Sequence, residues 1–481
     1  RKKKLCVIVV GAGVGGLSAA AKLVEAGLQV LVLERNLHPG GTAYVYTRNG
    51  FTFPMGPLGF SSPELVRRTL TSLAHGYDLE FHRVHYQIRA FDVKVSLSLS
   101  LSRMKNEMER LFPADVRGIN RFFRDMEDIL SAMRFPDIEV NRSLLERAAR
   151  TQARSYLSGF IKDWRLRRIA GSLGTREAYT GLPLLAAMWN LMTREGIWYP
   201  KGGMRSFCHK LVMAATIGGE EHGGFCEIRL GAKVKEIRVR NGRISGVTMA
   251  GGANIDTAAV ISNADYKTTF MGLMKREALP DGWYRAVNRA KQTSSIFQVS
   301  LGVDRSKVDL SAFSEASRLI SRRIKGSSGQ SEEKLDWLAA EVDPGALGGQ
   351  ELEVSLWSKD DPMLAPEGGA VIVIRTEADH AHFAKYRLAQ GRRTPAYGGY
   401  KMRLAQALVR EINSLIPGLK RSVVVMDVAT PLTFEDQGGR SEGAVAGWSW
   451  DYEHNADYQP VELVRTPIHG LYMAGYQAYS A

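Results

Sequence analysis

The sequence predicts an α/β fold in which a doubly wound parallel sheet is joined to a second domain made of a sheet and helices. Three patterns carry this prediction. An apolar run leads into a glycine-rich turn and a helix near the amino terminus, a β-meander is inserted in the middle of the chain, and further apolar strands follow in the second half. With 481 residues, the chain is long enough for two or three domains with substantial cores.

The first pattern spans residues 5–35. Residues 5–10 form a short apolar run rich in β-branched side chains, as is typical of a strand covered on both faces. The turn Gly11-Ala12-Gly13-Val14-Gly15-Gly16 follows and opens an alanine-rich helix that ends at Gly27. Residues 29–33 predict a second strand, which leads directly to Glu34. This order of strand, glycine turn, helix, strand and acid predicts a βαβ unit that binds a dinucleotide.

Each part of this unit has a physical role. Gly11 permits the tight turn, and Gly13 lets the backbone approach a pyrophosphate. Gly15 or Gly16 lets the helix pack closely on the strand, and the helix amino terminus offers N–H groups to phosphates. Glu34 can accept hydrogen bonds from a ribose, and its charge disfavours the 2′-phosphate of NADP. A glycine-rich turn without a ligand remains the alternative interpretation.

Two more glycine-containing segments follow the second strand. They are Pro39-Gly40-Gly41-Thr42 and residues 50–57, which end in Gly56-Pro57. Glycines here would let the backbone come close to the same ligand. Two ordinary turns would explain the same residues.

The rest of the chain divides into a helical part, a meander and a second sheet. Residues 62 to about 200 are predicted to be mainly helical, except that the alternating run 95–102 predicts a strand. In the meander, Asn241-Gly242 is a strong hairpin signal. Helices are predicted over 113–133, 205–217 and 401–415. The predicted strands are 225–230, 232–239, 244–249 and 255–261 in the meander, 296–303, 351–357 and 370–376 in the second sheet, and 422–429.

The remaining composition favours a chain without disulfides or metal. Cys6, Cys208 and Cys226 are too scattered for a disulfide framework, so a reducing compartment is expected, with Cys6 as a small core residue. No catalytic triad or metal-ligand spacing stands out, and His75, His82 and His85 are interpreted as surface residues. No run reaches the roughly 18 apolar residues of a transmembrane helix, and no signal peptide precedes the first strand. A cytoplasmic protein, peripheral at the membrane, is expected.

The chain has a net charge of +14, and a local excess of basic residues lies between residues 142 and 168, where eight arginines and lysines stand against two acids. Arginines and lysines there are interleaved with leucine, tyrosine, phenylalanine and tryptophan, which suits a helix lying on a membrane surface. A helix packed on its own domain with a solvated arginine face explains the segment equally well. No aromatic-basic motif indicates a nucleic-acid partner.

These segments, in this order, resemble the FAD-dependent phytoene desaturase family. That family includes carotenoid desaturases, carotenoid cis–trans isomerases and retinol saturases. The resemblance rests on VVGAGVGGLSAAAKLVEAG at 9–27, LER at 33–35, PGG at 39–41, GFTFPMGP at 50–57, YPKGGM at 199–204, LGAKVKEI at 230–237, VISNAD at 260–265, DPMLAPEG at 361–368, ATPLTFE at 429–435 and TPIHGLYMAG at 466–475. The combination spans nearly the whole chain and is far more specific than any single motif.

The resemblance implies FAD as the cofactor. The pyrophosphate would lie on residues 11–16, the adenosine ribose on Glu34-Arg35, and the adenine against the backbone of Val234. The residues implied to border the flavin are Gly41, Thr42, Gly56, Pro57, Asn263, Ala264 and Gly475. The chain departs from the family at Pro54, where relatives often carry Asp. Relatives also continue beyond the equivalent of Ala481 with a glycine-rich turn and a helix that faces the flavin.

The resemblance also implies the fold of amine oxidases and Rab GDP-dissociation inhibitors. An FAD-binding domain of residues 1–61, 199–268 and 418–481 would be combined with a substrate-binding domain of residues 62–198 and 269–417. About 142–168 would be the part associated with a membrane.

The function implied is oxidation or reduction of C–C bonds in a carotenoid-like or other isoprenoid lipid. A redox-neutral polyene isomerase and a non-enzymatic lipid-binding protein on the same scaffold are the alternatives. No second GxGxxG follows a strand, so an NAD(P)H domain is not expected, and quinone or oxygen would accept the electrons. The sequence identifies no catalytic acid or base.

Overall fold

The computed structural model describes residues 6–56, 59–73, 79–90, 92–97, 100–179, 181–217, 222–322, 347, 351–449 and 463–478. Its strands are β1 Cys6–Val10, β2 Gln29–Leu33, β3 Val45–Arg48, β4 Phe51–Pro54, β5 Phe81–Val84, β6 Tyr86–Ala90, β7 Val93–Ser96, β8 Ile197–Pro200, β9 Phe225–Arg229, β10 Val234–Arg240, β11 Arg243–Met249, β12 Asn254–Asp256, β13 Ala259–Ser262, β14 Ser295–Asp304, β15 Arg318–Arg322, β16 Leu352–Leu356, β17 Gly369–Ala378, β18 Val423–Ala429 and β19 Leu471–Met473.

The helices are α1 Val14–Glu25, α2 Pro63–Leu73, α3 Leu101–Leu111, α4 Val116–Arg134, α5 Glu139–Arg150, α6 Ala153–Ser158, α7 Trp164–Ser172, α8 Leu182–Asn190, α9 Gly203–Ile217, α10 Asp281–Arg289, α11 Trp357–Asp360, α12 His380–Ala384, α13 Ala396–Ile412, α14 Leu419–Ser422 and α15 Pro431–Gly438. Short 3₁₀ turns include Gly41–Ala43 and Pro113–Asp115.

Five parallel strands form the first sheet, in the order β19-β13-β1-β2-β9. Its central strand β1 sends Val9 into one hydrophobic core and Ile8 into another, so both faces of the sheet are covered. The predicted strand, helix and strand of the βαβ unit are therefore confirmed. Cys6 is exposed at the first position of β1, and the prediction that it lies in the core is wrong.

The meander is smaller than predicted. Only β10, β11 and β12 form the antiparallel sheet, whereas β9 pairs in parallel with β2 at the edge of the first sheet. The predicted single strand 255–261 is two strands, because the chain crosses from the meander to the parallel sheet between Asp256 and Ala259. Thr257 stabilises this crossing: its hydroxyl accepts a hydrogen bond from Ala259 N at 3.2 Å and donates one to the Cys6 carbonyl at 2.5 Å.

Seven strands form the second sheet, in the order β18-β14-β17-β16-β15-β6-β7. β14, β16 and β17 confirm the predicted second sheet. β18 also belongs to it, since Leu301 pairs with Met426. This pairing contradicts the predicted domain boundary at residue 418, and we place residues 418–429 with the second sheet. The other domain boundaries remain a prediction.

The predicted strand 95–102 is wrong after Ser96. β7 ends there, and α3 begins at Leu101, while residues 98 and 99 lie outside the described part. Met104 and Met108 are buried one turn apart on the same face of α3. Helical spacing of apolar residues therefore prevails over the alternation that suggested a strand.

The helical part confirms the predicted core stripe of α4. Ile119, Phe122, Met126 and Ile129 are buried, and Phe122 packs edge to face on Trp189 of α8 with ring centroids 5.7 Å apart. Within the described residues, no helix combines the length and apolar character needed to cross a bilayer.

Candidate cofactor-binding site

The turn between β1 and α1 can close only because glycines stand at positions where the backbone is crowded. Gly11 has a φ of 97°, and its N–H donates to the Leu33 carbonyl at 2.9 Å. A Cβ on Gly16 would lie 2.1 Å from the Gly11 carbonyl oxygen, which no side chain can tolerate. α1 begins directly after Gly13, which supplies no side-chain cap. The N–H groups of the first helical turn have no intrahelical acceptor, so they can bind an anion.

Two further strand ends meet this turn. Asn263 follows β13, and its N–H donates to the Val10 carbonyl at 2.8 Å. A Cβ on Gly13 would lie 2.7 Å from the Asn263 side-chain nitrogen, and one on Gly15 would lie 2.6 Å from Gly475 Cα. The carboxyl ends of β1, β13 and β19 therefore form one edge, with half-buried Ala264 next to Asn263. The crevice at this edge of a doubly wound sheet is where such folds bind ligands.

Glu34 provides a buried carboxylate beside the turn. It is 5% exposed, and its Oε2 accepts the Ala12 N–H while Oε1 accepts the Asn36 N–H, both at 2.8 Å. The Glu34 backbone also pairs with the segment before β10, since its carbonyl accepts the Ala232 N–H at 2.7 Å. Val234 begins β10 two residues after this hydrogen bond. Each carboxylate oxygen can accept a further hydrogen bond, as two ribose hydroxyls would require.

The segment after β2 lies against the same turn. The Gly40 N–H donates to the Ala12 carbonyl at 2.8 Å, and a Cβ on Gly41 would lie 3.1 Å from Gly13 Cα. Thr42 is fixed by Arg440, whose Nη2 donates to the threonine hydroxyl at 2.9 Å.

Arg35 extends away from the turn toward the end of α15. Its Nη2 donates to the carbonyls of Asp436 at 2.8 Å and Gln437 at 3.0 Å. Gly438 follows these two residues, and a Cβ on it would lie 3.5 Å from the Thr42 methyl group. Arg35 therefore links β2 to the segment that lies against Thr42.

The hairpin β3–β4 connects this cluster to the second sheet. A Cβ on Gly56 would lie 2.3 Å from the Thr42 carbonyl oxygen. The Gly56 carbonyl accepts a hydrogen bond from Arg375 Nη2 at 2.8 Å, and the Pro54 carbonyl accepts one from Gln298 Nε2 at 3.2 Å. Pro57 lies outside the described residues. Position 54, where relatives often have Asp, is therefore held through its backbone.

Sequence reasoning missed Gln298 and Arg375. They hydrogen-bond each other, with Arg375 Nε donating to Gln298 Oε1 at 2.8 Å, and both are buried. Burial lowers the pKa of Arg375. The available signal was a large polar side chain within a mainly apolar strand, FQVSLGV for Gln298 and AVIVIRT for Arg375.

The thiol and imidazole groups nearby are poorly suited to nucleophilic chemistry. Cys208 lies against Gly40, and burial raises its thiol pKa to about 12, so little thiolate forms at neutral pH. His85 is exposed, His82 is half-buried beside Asp360, and His75 lies outside the described residues. No group of three or more potential metal ligands occurs in the part of the chain that the structure describes.

The residues present fit a dinucleotide. Glycines at 11, 13, 15, 41, 56 and 475 leave a cradle that Cβ atoms would fill. The amino terminus of α1, which can bind a phosphate, follows directly after Ala12 and Gly13. The buried Glu34 carboxylate, which can bind ribose hydroxyls, accepts the Ala12 N–H. The structure brings Gly11, Gly13, Gly15, Gly16, Gly41, Asn263 and Gly475 together at the turn, whereas the Arg35 side chain extends away from it; the cofactor contacts of these residues stay a prediction.

Known proteins share this architecture along the whole chain. The chain is 27% identical over 464 residues to the phytoene desaturase (lycopene-forming) of Pseudescherichia vulneris, which covers 89% of this chain and 86% of that protein. It is 26% identical over 506 residues to a chloroplastic prolycopene isomerase of Daucus carota, covering 99% and 77%. The solved structure of an oxidoreductase from Methanosarcina mazei has a TM-score of 0.63 at 16% identity, covering 98% of this chain and 95% of that chain, and shows the same fold.

The predicted fold class, resemblance and cofactor are confirmed by these comparisons together with a family model. The model of the flavin-containing amine oxidoreductases matches residues 14–383, which is more than half of the chain. The chain belongs to the flavin-containing amine oxidoreductase family and is an FAD-dependent oxidoreductase.

Proposed function

We propose that this enzyme oxidises or reduces C–C bonds of a carotenoid-like or other isoprenoid lipid. The observation that carries the proposal is the glycine turn with buried Glu34, combined with similarity along almost the entire length to a phytoene desaturase and a prolycopene isomerase. FAD supplies the capacity to exchange a hydride with an unactivated carbon. The protein binds and orients the lipid beside it and excludes water.

We assign the cofactor contacts as follows. Gly11, Ala12, Gly13, Gly15 and Gly16 hold the pyrophosphate through the α1 amino terminus. Glu34 and Arg35 serve the ribose end, and the backbone of Val234 lies against the adenine. The residues around the flavin ring are Gly41, Thr42, Gly56, Pro57, Asn263, Ala264 and Gly475. No residue is assigned as general acid or base.

The reaction class is tested by product mass. The purified full chain is incubated with phytoene, lycopene, all-trans-retinol and all-trans-retinoic acid, with and without oxygen, and the lipids are analysed by mass spectrometry. A change of two hydrogens per turnover supports the proposal. An isomerised product of unchanged mass would replace it with the isomerase, and FAD-loaded protein that leaves all isoprenoid probes unchanged would contradict it.

We also propose that reduced cofactor passes its electrons to quinone or oxygen. The support is the lack of a second glycine fingerprint after a strand in the sequence. Stopped-flow mixing of the reduced enzyme with each acceptor tests this. Rapid reoxidation by NAD(P)⁺, with none by quinone or oxygen, would contradict it.

A membrane surface is the proposed source of the lipid. Within 142–168 the large apolar side chains are buried or half-buried, so this stretch packs on its own domain and exposes arginines. Exposed apolar residues lie just before it, at the end of α4, in the turn that follows and at the start of α5. They are Met133, Phe135, Ile138 and Val140, with 38%, 63%, 54% and 76% of their surface exposed. We name residues 133–140 the α4–α5 tip and propose that it inserts into the bilayer interface.

Removing apolar side chains from the tip is expected to weaken membrane binding. The double variant Phe135→Ser/Ile138→Ser should bind vesicles at least about tenfold more weakly, since burying each such side chain contributes about 1.5–3 kcal/mol. Because Asp137 and Glu139 outweigh Arg134 within the tip, neutral phosphatidylcholine vesicles should bind nearly as well as anionic ones. Vesicle co-sedimentation measures both effects.

The matched control is Val424→Ser, which removes an exposed apolar residue from β18 at the edge of the second sheet. It should leave vesicle binding unchanged. Equal binding of the wild type and the double variant would exclude the tip as the membrane contact.

A further inference from the structure

Arg318 is a buried cation that the proposed cofactor site does not use. It opens β15, is 0% exposed, and its Nη1 lies 2.6 Å from Asp360 Oδ2 and donates to the Ser317 carbonyl at 3.2 Å. Its Nε and Nη2 have no hydrogen-bond acceptor among the described residues. These two N–H groups point from the same edge of the guanidinium plane, and together they form the fork that binds a carboxylate through two parallel hydrogen bonds.

Trp357 adds a third donor to the same place. The Arg318 guanidinium carbon lies 4.4 Å above the indole ring centre, and the fully buried indole Nε1 also lacks an acceptor among the described residues. A buried donor without a partner costs about 1–3 kcal/mol, and more when it is charged. Asp360 already occupies Nη1, and the three remaining donors, Arg318 Nε and Nη2 and Trp357 Nε1, are complementary to a second anionic oxygen pair.

Strand pairing places this fork on the face of the second sheet that is turned toward the cofactor loop. Arg318 is opposite Ser355, which is opposite Val373. Since alternate residues of a strand share a face, Arg375 lies on the same face, and its Nη2 donates to the Gly56 carbonyl at 2.8 Å. The indole of Trp357 also lies near the Arg375 guanidinium, with 5.8 Å between that carbon and the ring centre.

We propose that Arg318 and Trp357 bind a terminal carboxylate of the lipid substrate. The enzyme would then act on an oxygenated polyene or isoprenoid acid in preference to a hydrocarbon, which would leave all three donors unpaired. The carboxylate-binding fork stands on the geometry above, whereas its assignment to the substrate rests on the proposed function. The same fork could take a small free carboxylate, and the experiment separates the two sources.

The test compares two probes that share a polyene and differ at the end group. All-trans-retinoic acid and all-trans-retinol are titrated into the purified full chain, and tryptophan fluorescence and polyene absorbance report binding. Retinoic acid should bind the wild type at least about tenfold more tightly than retinol, because hydrogen bonds to charged groups contribute about 1.5–3 kcal/mol each. A large excess of acetate should not displace it.

Three variants test whether Arg318 and Trp357 cause the preference for retinoic acid over retinol. Arg318→Met should abolish the preference for the acid while leaving retinol affinity unchanged, and Trp357→Phe should reduce it. Arg318→Lys keeps the charge without the fork and should also lose most of the preference, which covers the case in which the methionine variant does not fold. Arg238→Met removes an arginine that is already paired with Asp256 and should change nothing.

The contrary outcomes are distinct. Equal affinity for acid and alcohol in the wild type, or a preference that survives in both Arg318 variants, means that the fork holds only water and overturns the proposal. Displacement by acetate would overturn its assignment to the lipid. Because binding is read without turnover, a protein that binds FAD but shows no acid preference refutes this inference alone, whereas a protein that shows the preference without binding FAD refutes the cofactor site alone.

Discussion

Replacing Gly16 with alanine is expected to abolish stable FAD binding and to lower the free energy of unfolding by more than about 2 kcal/mol, at the upper part of the range for overpacked sites. The added Cβ would lie 2.1 Å from the Gly11 carbonyl oxygen. Backbone cannot move aside like the end of a flexible side chain, so β1 and α1 must separate. The open helix amino terminus would then lose its position relative to Glu34. FAD titration by absorbance and urea unfolding measure the two effects.

Gly398→Ala is the matched control. Gly398 lies in α13, and nothing approaches within 4 Å of the position of an added Cβ. This variant should keep FAD affinity and gain about 0.5–1 kcal/mol, because alanine is the better helix former. Wild-type FAD affinity in Gly16→Ala would show that the strand-to-helix turn does not position the cofactor.

Replacing Arg375 with methionine is expected to give the second large effect. Its guanidinium ties the Gly56 carbonyl to the second sheet and bonds to Gln298 of β14, and its removal leaves the buried Gln298 Oε1 and the partly buried Gly56 carbonyl without these donors. Since each unsatisfied buried group costs about 1–3 kcal/mol, the free energy of unfolding should fall by about 2–4 kcal/mol. The loop at Gly56 should lose its fixed position, so FAD affinity should fall at least about tenfold. Denaturant unfolding and FAD titration again provide the readouts.

Arg305→Met tests whether loss of a positive charge alone causes this effect. Arg305 is exposed in the turn after β14, and its replacement should change unfolding free energy and FAD affinity little. If Arg375→Met and Arg305→Met had the same free energy of unfolding and the same FAD affinity, the hydrogen bond from Arg375 to the Gly56 loop would contribute nothing to stability or to FAD binding.

The part of the site that could be predicted from the sequence is the part with local signals. The glycine spacing at 11–16, the apolar runs on either side and the position of Glu34 all lie within 30 residues, and the structure forms them as predicted. Local periodicity also identified the buried stripe of α4. In each case one short segment carries enough information to fix its own conformation.

The errors arise where distant segments decide the outcome. Residues 225–229 look like a meander strand, but pairing with β2 makes them the edge of the parallel sheet. Residues 423–429 are predicted to belong to the FAD-binding domain, but they pair with β14 and so form part of the second sheet. Cys6 looks buried by its neighbours, yet it is exposed at the first position of its strand. Neither the strand pairings nor the exposure of Cys6 can be read from the residue pattern of the segment concerned.

The same reason explains the missed polar residues. Gln298, Arg318 and Arg375 stand in strands far apart in the chain, and only the order of the second sheet brings them to one face. In the sequence each stands within a strand that also holds other polar residues, so its own segment does not mark it as special. Two of them hold the loop at residues 54–56, and the third has two buried N–H groups without an acceptor among the described residues, which we propose bind a carboxylate.

The visible absorption spectrum of the complete polypeptide, recorded after incubation with excess FAD and gel filtration, tests the cofactor site most directly. We expect flavin bands to elute with the protein at about one cofactor per chain, and to be strongly reduced in Glu34→Ala, which removes the buried carboxylate beside Ala12. A folded protein that elutes without colour, or a Glu34→Ala variant that retains the full flavin spectrum at wild-type affinity, would contradict the site.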